Sequence, residues 1–354
     1  MEKGCGRREP GDRRREAEGW FYLGTRRLTF ILCSIAVELS SLAYFYNKTN
    51  FAEKRYNMFD LSKRRWQWAA MILLALIWGS SFILMKKGLQ AFSYTQVAAI
   101  RVFFSFLILI PIFAQRINKV TKQNAIHLAL VGYAGIFFPA FLFTLAQTHI
   151  NSSLAGMLNS LTPLFALIAG IILYKSRPAR NQYIGIIVGL IGALGLVSEG
   201  HTDFLQNTNM YALFIVAATF GYGIQANEVR FKLSGLNGVD ITSLAIMFAG
   251  PPAGIILFST DLQHAYQSPA FWPSLAAVLT LATFGSVLSL FIFNNLIKKT
   301  SALFATSVTY IIPIFAILWG IADGESITTF AMVNIAIVLF GVWLVNRKKA
   351  ENKG

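Results

Sequence analysis

The 354-residue chain is 55% hydrophobic and only 13% charged, with a mean hydropathy of +0.55. A soluble domain carries about a quarter charged residues, so this composition excludes an ordinary water-soluble core. The formal charge of +15 is spread between apolar blocks rather than gathered on a polar face; it is read as membrane orientation, and no nucleic-acid partner is expected.

Residues 1–57 stand apart from the rest. They hold an arginine-rich start (Arg7, Arg8, Arg13 to Arg15), both cysteines (Cys5 and Cys33), and a moderately apolar run from Leu28 to Tyr46 that contains Glu38. A carboxylate at a bilayer centre costs roughly 2–3 kcal/mol, and basic residues flank the run on both sides. Three readings of this extension stand: an eleventh span or signal anchor, an interfacial or disordered extension, or translated sequence upstream of a true start at Met58. The last is favoured.

From Trp66 onward the apolar residues come in blocks of the length that crosses about 30 Å of hydrocarbon as a helix. The predicted spans are 66–85, 94–114, 125–146, 153–174, 182–198, 210–227, 241–259, 272–297, 301–322 and 328–346. Helices satisfy their own backbone in lipid, so the expected fold class is an all-α polytopic membrane protein with ten transmembrane helices. Trp66, Trp68, Trp272 and Trp343 lie near span ends and read as interfacial anchors.

Charge sets the orientation. From position 58 onward seventeen Lys and Arg fall on the side of Lys63–Arg65 and the basic tail 347–354, whereas the other side holds only Lys86 and Lys87. The acids Glu199, Asp203, Asp261, Asp323 and Glu325 share that second side. The positive-inside rule therefore places both ends of the ten-helix core in the cytoplasm.

An internal repeat accompanies this pattern. An offset of 150 aligns Gly135 with Gly285, Pro163 with Pro313, Phe165 with Phe315 and Gly170 with Gly320; an offset of 142 aligns Gly79 with Gly221. Partner helices then run in opposite directions, which implies a 5+5 inverted-topology repeat, residues 66–198 against 209–346. Such repeats recur in secondary transporters, with the substrate held at the repeat interface near the midplane.

The first span carries Ile77-Trp78-Gly79-Ser80-Ser81-Phe82 followed by Lys86-Lys87-Gly88, and the second Ala99-Ile100-Arg101-Val102. Ser153-Leu154-Ala155 through Leu161-Thr162-Pro163-Leu164-Phe165 lies in the fourth, and Ser301-Ala302 through Pro313-Ile314-Phe315 in the ninth. In order and spacing these stretches resemble the EamA-like family of the drug/metabolite transporter superfamily, over residues 66 to 346. The resemblance implies a bacterial inner-membrane exporter of small metabolites, amino-acid-like solutes among them, working by alternating access without a cofactor.

Several residues are candidates for a solute pathway. Arg101 is the clearest ionisable group inside a span: a counter-charge for an anionic or zwitterionic solute, or else a snorkelling side chain. Trp78, Ser80 and Ser81 combine an aromatic wall with small polar groups, as do Tyr222 and Gln225; helix packing is the alternative for each. Asn159, Asn294, Thr309 and Tyr310 are further polar candidates that equally serve as interhelical bonds. Glu228, near the end of the sixth span, is a candidate for ion coupling, or else an interfacial partner of Arg230 or Lys232. Pro163 and Pro313 are expected to kink their spans as hinges. Gly185 and Gly189 read as a packing face and a candidate homodimer contact.

Competing functions lack their residues. A nucleotide-sugar or phosphorylated-metabolite exchanger should cluster cations in the cavity, where Arg101 stands alone. A lipid or isoprenoid enzyme should show paired acids, histidines or a metal cluster, and the four histidines have no metal-binding spacing. A scaffold or sensor would carry an output domain. Neither an enzyme nor a metal site is expected.

Overall fold

The computed structural model describes residues 60–176, 179–198 and 210–346. The extension 1–57 with Met58 and the tail 347–354 lie outside the described residues. Within them the chain is helical throughout, with no strand. Each predicted run is a helix: α1 (Arg64–Gly88), α2 (Tyr94–Lys119), α3 (Ala125–Ala146), α4 (Ser152–Tyr174), α5 (Arg180–Ser198), α6 (Met210–Asn227), α7 (Gly238–Ser259), α8 (Phe271–Lys299), α9 (Ala302–Ala322) and α10 (Thr329–Asn346).

Seven of these, α1 to α4 and α7 to α9, are long and apolar enough to cross a membrane. The expectation of ten such helices is therefore met only in part. In α5 and α10 the apolar stretch is shorter, Arg180–Leu196 and Thr329–Leu344. Helix α6 carries Gln225 and Asn227 in its last turn. Both polar groups are buried within the bundle, where they serve the interior rather than lipid.

The helices pack in pairs that recur when each is replaced by the one five places along. Helix α2 lies against α7 and α5 against α10; α1 packs on α9 as α6 packs on α4, and α1 on α8 as α6 on α3. Small residues allow the close approaches. A Cβ at Gly79 of α1 would lie 2.5 Å from the Phe315 Cβ of α9, so only glycine fits there. Gly185 and Gly189 lie against Gly341 of α10 within the same chain, as the packing face expected of them.

Helices α4 and α9 are each broken midway. The first runs Ser152–Asn159, turns at Ser160–Leu161, and resumes as Thr162–Tyr174. The second runs Ala302–Thr306, tightens into a 3₁₀ turn at Ser307–Tyr310, and resumes as Ile312–Ala322. Pro163 and Pro313 thus stand in the first turn of a new helix, where a missing N–H costs nothing, rather than kinking a continuous one. Hydroxyls satisfy the carbonyls released at each break. Thr162 Oγ1 donates to Asn159 O (2.8 Å) and Ser160 Oγ to Met157 O (2.5 Å) in α4, as Thr309 Oγ1 donates to Thr306 O (2.9 Å) and Ser307 Oγ to Phe304 O (2.6 Å) in α9.

Helices α3 and α8 widen into π-helical turns at Tyr133–Phe137 and Leu281–Leu288, which contain the repeat-related Gly135 and Gly285. A third π-helical turn, Glu228–Lys232, ends α6. Such turns are frequent at functional sites.

Candidate functional site: a central cavity and its two ends

The breaks and the π-helical turns face one another across a central cavity. It offers about 70 Å³ in which the centre of a water molecule can sit, room for roughly five waters or a small solute at ~10–15 Å³ each. Its wall is aromatic: Trp78 and Phe82 from α1, Phe143 from α3, Tyr222 from α6 and Phe293 from α8. The rings support one another, Trp78 edge-on to Phe293 at 5.0 Å and Phe143 stacked with Tyr222 at 6.0 Å. The indole of Trp78 is fixed by its N–H, which donates to Gly285 O (3.1 Å) and Ser289 Oγ (3.0 Å) on α8.

Polar groups enter this wall at few places, as in a pocket that orients its ligand. Arg101 on α2 donates from Nε to Ser286 Oγ (2.9 Å), and its Nη1 lies 3.9 Å from Met85 Sδ. No described carboxylate comes within 4.0 Å of the guanidinium. Half-buried and without a counter-ion, this charge is one that an anionic group entering the cavity would pair. Asn159 Oδ1, an acceptor at the α4 break, and Gln225 Nε2, a donor on α6, are buried without partners. Unsatisfied buried polar atoms cost ~1–3 kcal/mol each and mark where a ligand or water belongs.

Trp78, Ser81, Arg101, Asn159, Tyr222, Gln225 and Thr309 thus all reach the same cavity. Three other sequence candidates are placed elsewhere. Ser80 Oγ donates to Leu76 O and accepts from Trp319 Nε1 (2.9 Å) on an exposed side of α1. Asn294 Nδ2 donates to Thr242 Oγ1 (2.9 Å) and joins α8 to α7. Tyr310 donates to Val342 O (3.1 Å) and ties α9 to α10. Sequence reasoning missed Thr162, Thr306 and Ser286, which line the cavity; the first two flank the breaks, and for Thr162 the proline directly after it was the available signal.

At one end of the bundle Glu325, between α9 and α10, closes the gap between α1 and α4. Its Oε1 accepts from Lys86 Nζ (2.8 Å), Ser152 N (3.1 Å) and Ser152 Oγ (2.8 Å), and its Oε2 from Ser153 N (3.0 Å) and Ser153 Oγ (2.6 Å). The carboxylate thereby caps the positive end of α4. Burial pushes the Glu325 carboxyl up, but the donors from Lys86, Ser153 and Ser152 prevail and hold it down at about 2. Beside it Asp323 pairs with Lys86 (2.8 Å) and Lys87 (2.5 Å).

At the opposite end Asp240 and Asn237 form the capping box of α7, Asp240 Oδ2 accepting from Asn237 N (3.4 Å) and Asp240 N donating to Asn237 Oδ1 (2.8 Å), and Asp240 pairs with Arg116 (3.1 Å) and Lys119 (2.6 Å) from α2. Glu228 is at this end too. It bonds neither Arg230 nor Lys232 but is buried, with Tyr174 Oη donating to its Oε1 (2.5 Å) and His127 Nδ1 2.7 Å from its Oε2. The expected interfacial pairing is thus replaced by an interior one.

An all-helical bundle with long apolar helices, broken pairs and a solute-sized interior cavity defines a polytopic membrane transport protein. The model of the EamA-like transporter family matches residues 66–198 and again 209–347, and the chain belongs to that family. It is 25% identical over 290 residues to the uncharacterized inner membrane transporter YedA of Escherichia coli K12, covering 79% of this chain and 90% of that one. It is also 25% identical to an uncharacterized transporter of Archaeoglobus fulgidus, over 80% and 99% of the two chains. Protein PagO of Salmonella typhimurium is 20% identical over 77% of this chain and 90% of its own. A solved crystal structure at 16% identity superposes with a TM-score of 0.55, covering 80% of this chain and 97% of its own, a likeness of fold. The chain is accordingly a multi-pass membrane protein of a transporter family.

Proposed function

We propose that this transporter exports a small, amino-acid-like metabolite by alternating access, through ten spans arranged as two inverted halves with both core ends cytoplasmic. The helix contacts that recur on exchanging the halves support the inverted repeat, as do the paired breaks in α4 and α9 and the paired π-helical turns in α3 and α8. The Glu325 cluster is then an outer gate in its closed state, and movement of the half-helices at Pro163 and Pro313 opens and closes the pathway. A single chain supplies every wall of the cavity and serves as the transporting unit.

The carrying observation is the Arg101 guanidinium, half-buried in the cavity wall with no described carboxylate near it. It suits a solute carboxylate, while Asn159 Oδ1 suits an ammonium or hydroxyl donor and the aromatic wall an apolar side chain. Arg101 is the single cation among the residues lining the cavity, which disfavours phosphorylated solutes, whose two or more charges call for clustered donors.

The test is export from a bacterial host expressing the full chain, screened against amino acids, amines and their toxic analogues. One exported class should emerge, and Arg101→Ala should lower its flux at least tenfold while membrane abundance stays constant. Unchanged flux in that variant would overturn the role of Arg101. Absence of any flux from well-inserted protein would overturn the exporter reading.

A further inference from the structure

Among the described residues Asp240, Glu325 and Glu228 are buried carboxylates, and Glu228 is the exception among them. Asp240 and Glu325 are each matched by lysine or arginine and by backbone N–H groups at a helix start. Glu228 is matched by a phenol and an imidazole, groups that are neutral when unprotonated or un-ionised. Imidazole is the side chain that ordinarily changes charge between about pH 5 and 8. The His127 side chain is 25% exposed, so solvent protons reach it, whereas that of Glu228 is 7% exposed.

Two of the charged groups around this cluster, Arg230 and Lys298, have other bonds. On the same π-helical turn lie Arg230 and Lys232; Arg230 Nη1 donates to Lys298 O (3.5 Å). Helix α8, packed on that turn, contributes Lys298 and Lys299, and Lys298 Nζ donates to the carbonyls of Leu233 and Ser234. Helix α3 contributes His127; α4 contributes Tyr174, with Lys175 directly after it in a left-handed turn. None of these lysines or arginines forms an ion pair with Glu228 within 4.0 Å among the described residues.

All three helices that meet here continue into the cavity. Gln225, which lines it, precedes Glu228 by three residues, about 4.5 Å along the helix axis. Thr162 and Tyr174 share the second half of α4, and His127 lies on α3 ahead of the turn that carries Gly135. A change in how tightly the three helices are tied therefore reaches the cavity wall through rigid helical segments.

We propose that Glu228, His127 and Tyr174 form a proton-binding site, separate from the solute cavity, that couples solute movement to a proton gradient. The coupling rests on the transport reading above; the binding of the proton does not. Unloaded, neutral His127 sets Nδ1 2.7 Å from Glu228 Oε2 with neither atom in a formed hydrogen bond. Loading places one solvent proton on the imidazole at Nε2, giving an imidazolium–carboxylate pair that closes a charge-assisted bond. It draws α3 to α6, while the Tyr174 hydroxyl keeps α4 attached in both states. On the other side of the cycle the proton leaves Nε2 to solvent, that bond opens, and no other bond changes.

Two measurements on the full chain test this. The first is amide hydrogen exchange in lipid nanodiscs at about pH 8 and about pH 6, corrected for the intrinsic rate. Wild type should show pH-dependent protection around His127 and Glu228 that Glu228→Gln and His127→Asn each abolish and Tyr174→Phe retains. The same pH dependence in both former variants as in wild type would overturn the site. The second is flux of radiolabelled L-leucine, L-threonine and L-lysine in proteoliposomes. A proton gradient should raise wild-type flux at least tenfold, and Glu228→Gln should lose that stimulation while keeping counterflow without a gradient. Gradient stimulation persisting in Glu228→Gln would overturn the coupling. If wild type moves none of the probes, the transport reading fails for them while the exchange measurement still decides the proton site.

Discussion

Helix α4 is held at both ends by a carboxylate from another part of the chain, and the two ends are built from different chemistry. At its start Glu325 receives a lysine and four N–H or O–H donors from Ser152 and Ser153, a permanent neutralisation. At its last residue Glu228 receives the Tyr174 hydroxyl and faces His127, a contact whose charge depends on one proton. The break at Ser160–Leu161 lies between them and opens onto the cavity. A segmented helix clamped firmly at one end and adjustably at the other pivots at its break, because a rigid rod clamped twice would have nowhere to bend.

The largest way to break this comparison is to remove the firm clamp. Glu325→Ala leaves the four Ser152 and Ser153 donors without their acceptor while Lys86 keeps Asp323, and a buried group left unsatisfied costs about 1–3 kcal/mol. The expected outcome is a marked fall in melting temperature for the full chain in detergent, together with accessibility of a cysteine placed at Ser153 to a water-soluble thiol reagent. An unchanged melt and an inaccessible Ser153 position would show that Glu325 does not hold this end shut.

The pH dependence of the same clamp has a definite sign. Glu325 lies down at about 2, against an ordinary value of 4.5. A depressed carboxyl contributes stability that is fully present above the ordinary value and is lost as pH falls through the folded one. Closure of the Glu325 end should therefore hold constant between about pH 8 and 5 and weaken from about pH 4.5 toward 2. Thiol accessibility at Ser153 measured across that range checks it, and opening already at about pH 6 would assign the response to the His127 end instead.

A smaller effect concerns the packing that carries motion between the ends. Gly79→Ala would place a Cβ 2.5 Å from that of Phe315, forcing α1 away from the half-helix that follows Pro313. Overpacking of this kind costs about 1–3 kcal/mol. Thermal unfolding should register it, and flux should fall with it, since the displaced helix also carries Trp78 and Ser81 into the cavity.

The helices were legible in the sequence because lipid imposes length and apolarity on each one independently, and the blocks from Trp66 to Asn346 obey that rule locally. Arg101, Asn159 and Gln225 were legible for the same reason: polar groups inside apolar blocks must face an interior. What sequence did not reveal depends on distant partners. Glu325 read as an ordinary loop acid, since its match to Lys86 spans 239 positions. His127 was one of four histidines without a metal-binding spacing, and Glu228 read as an interfacial residue, until the fold brought them to 2.7 Å. The prolines were visible, but whether each kinks a helix or starts one turns on Ser160, Thr162, Ser307 and Thr309 supplying hydroxyls to the freed carbonyls. That is a local signal the hydropathy pattern hides.

The smallest expected effect separates cavity residues from polar groups that join helices. Asn294 has the polarity of a pocket residue, yet its amide bonds Thr242 between α8 and α7. Interhelical side-chain bonds in membranes average about 0.6 kcal/mol, so Asn294→Ala should lower thermal stability slightly and leave flux and solute preference as they are. Asn159→Ala removes an acceptor that is unpartnered, as Asn294 Oδ1 also is, but that lies in the cavity wall and loses no interhelical bond. It should leave stability level or improve it, because an unsatisfied buried group is lost, and should weaken solute affinity severalfold, at about 1 kcal/mol for one hydrogen bond. The two asparagines thus predict opposite patterns, one in the melting curve and one in the concentration dependence of transport. Equal effects of both substitutions on affinity would show that the cavity extends to α7, or that Asn159 is no more part of it than Asn294.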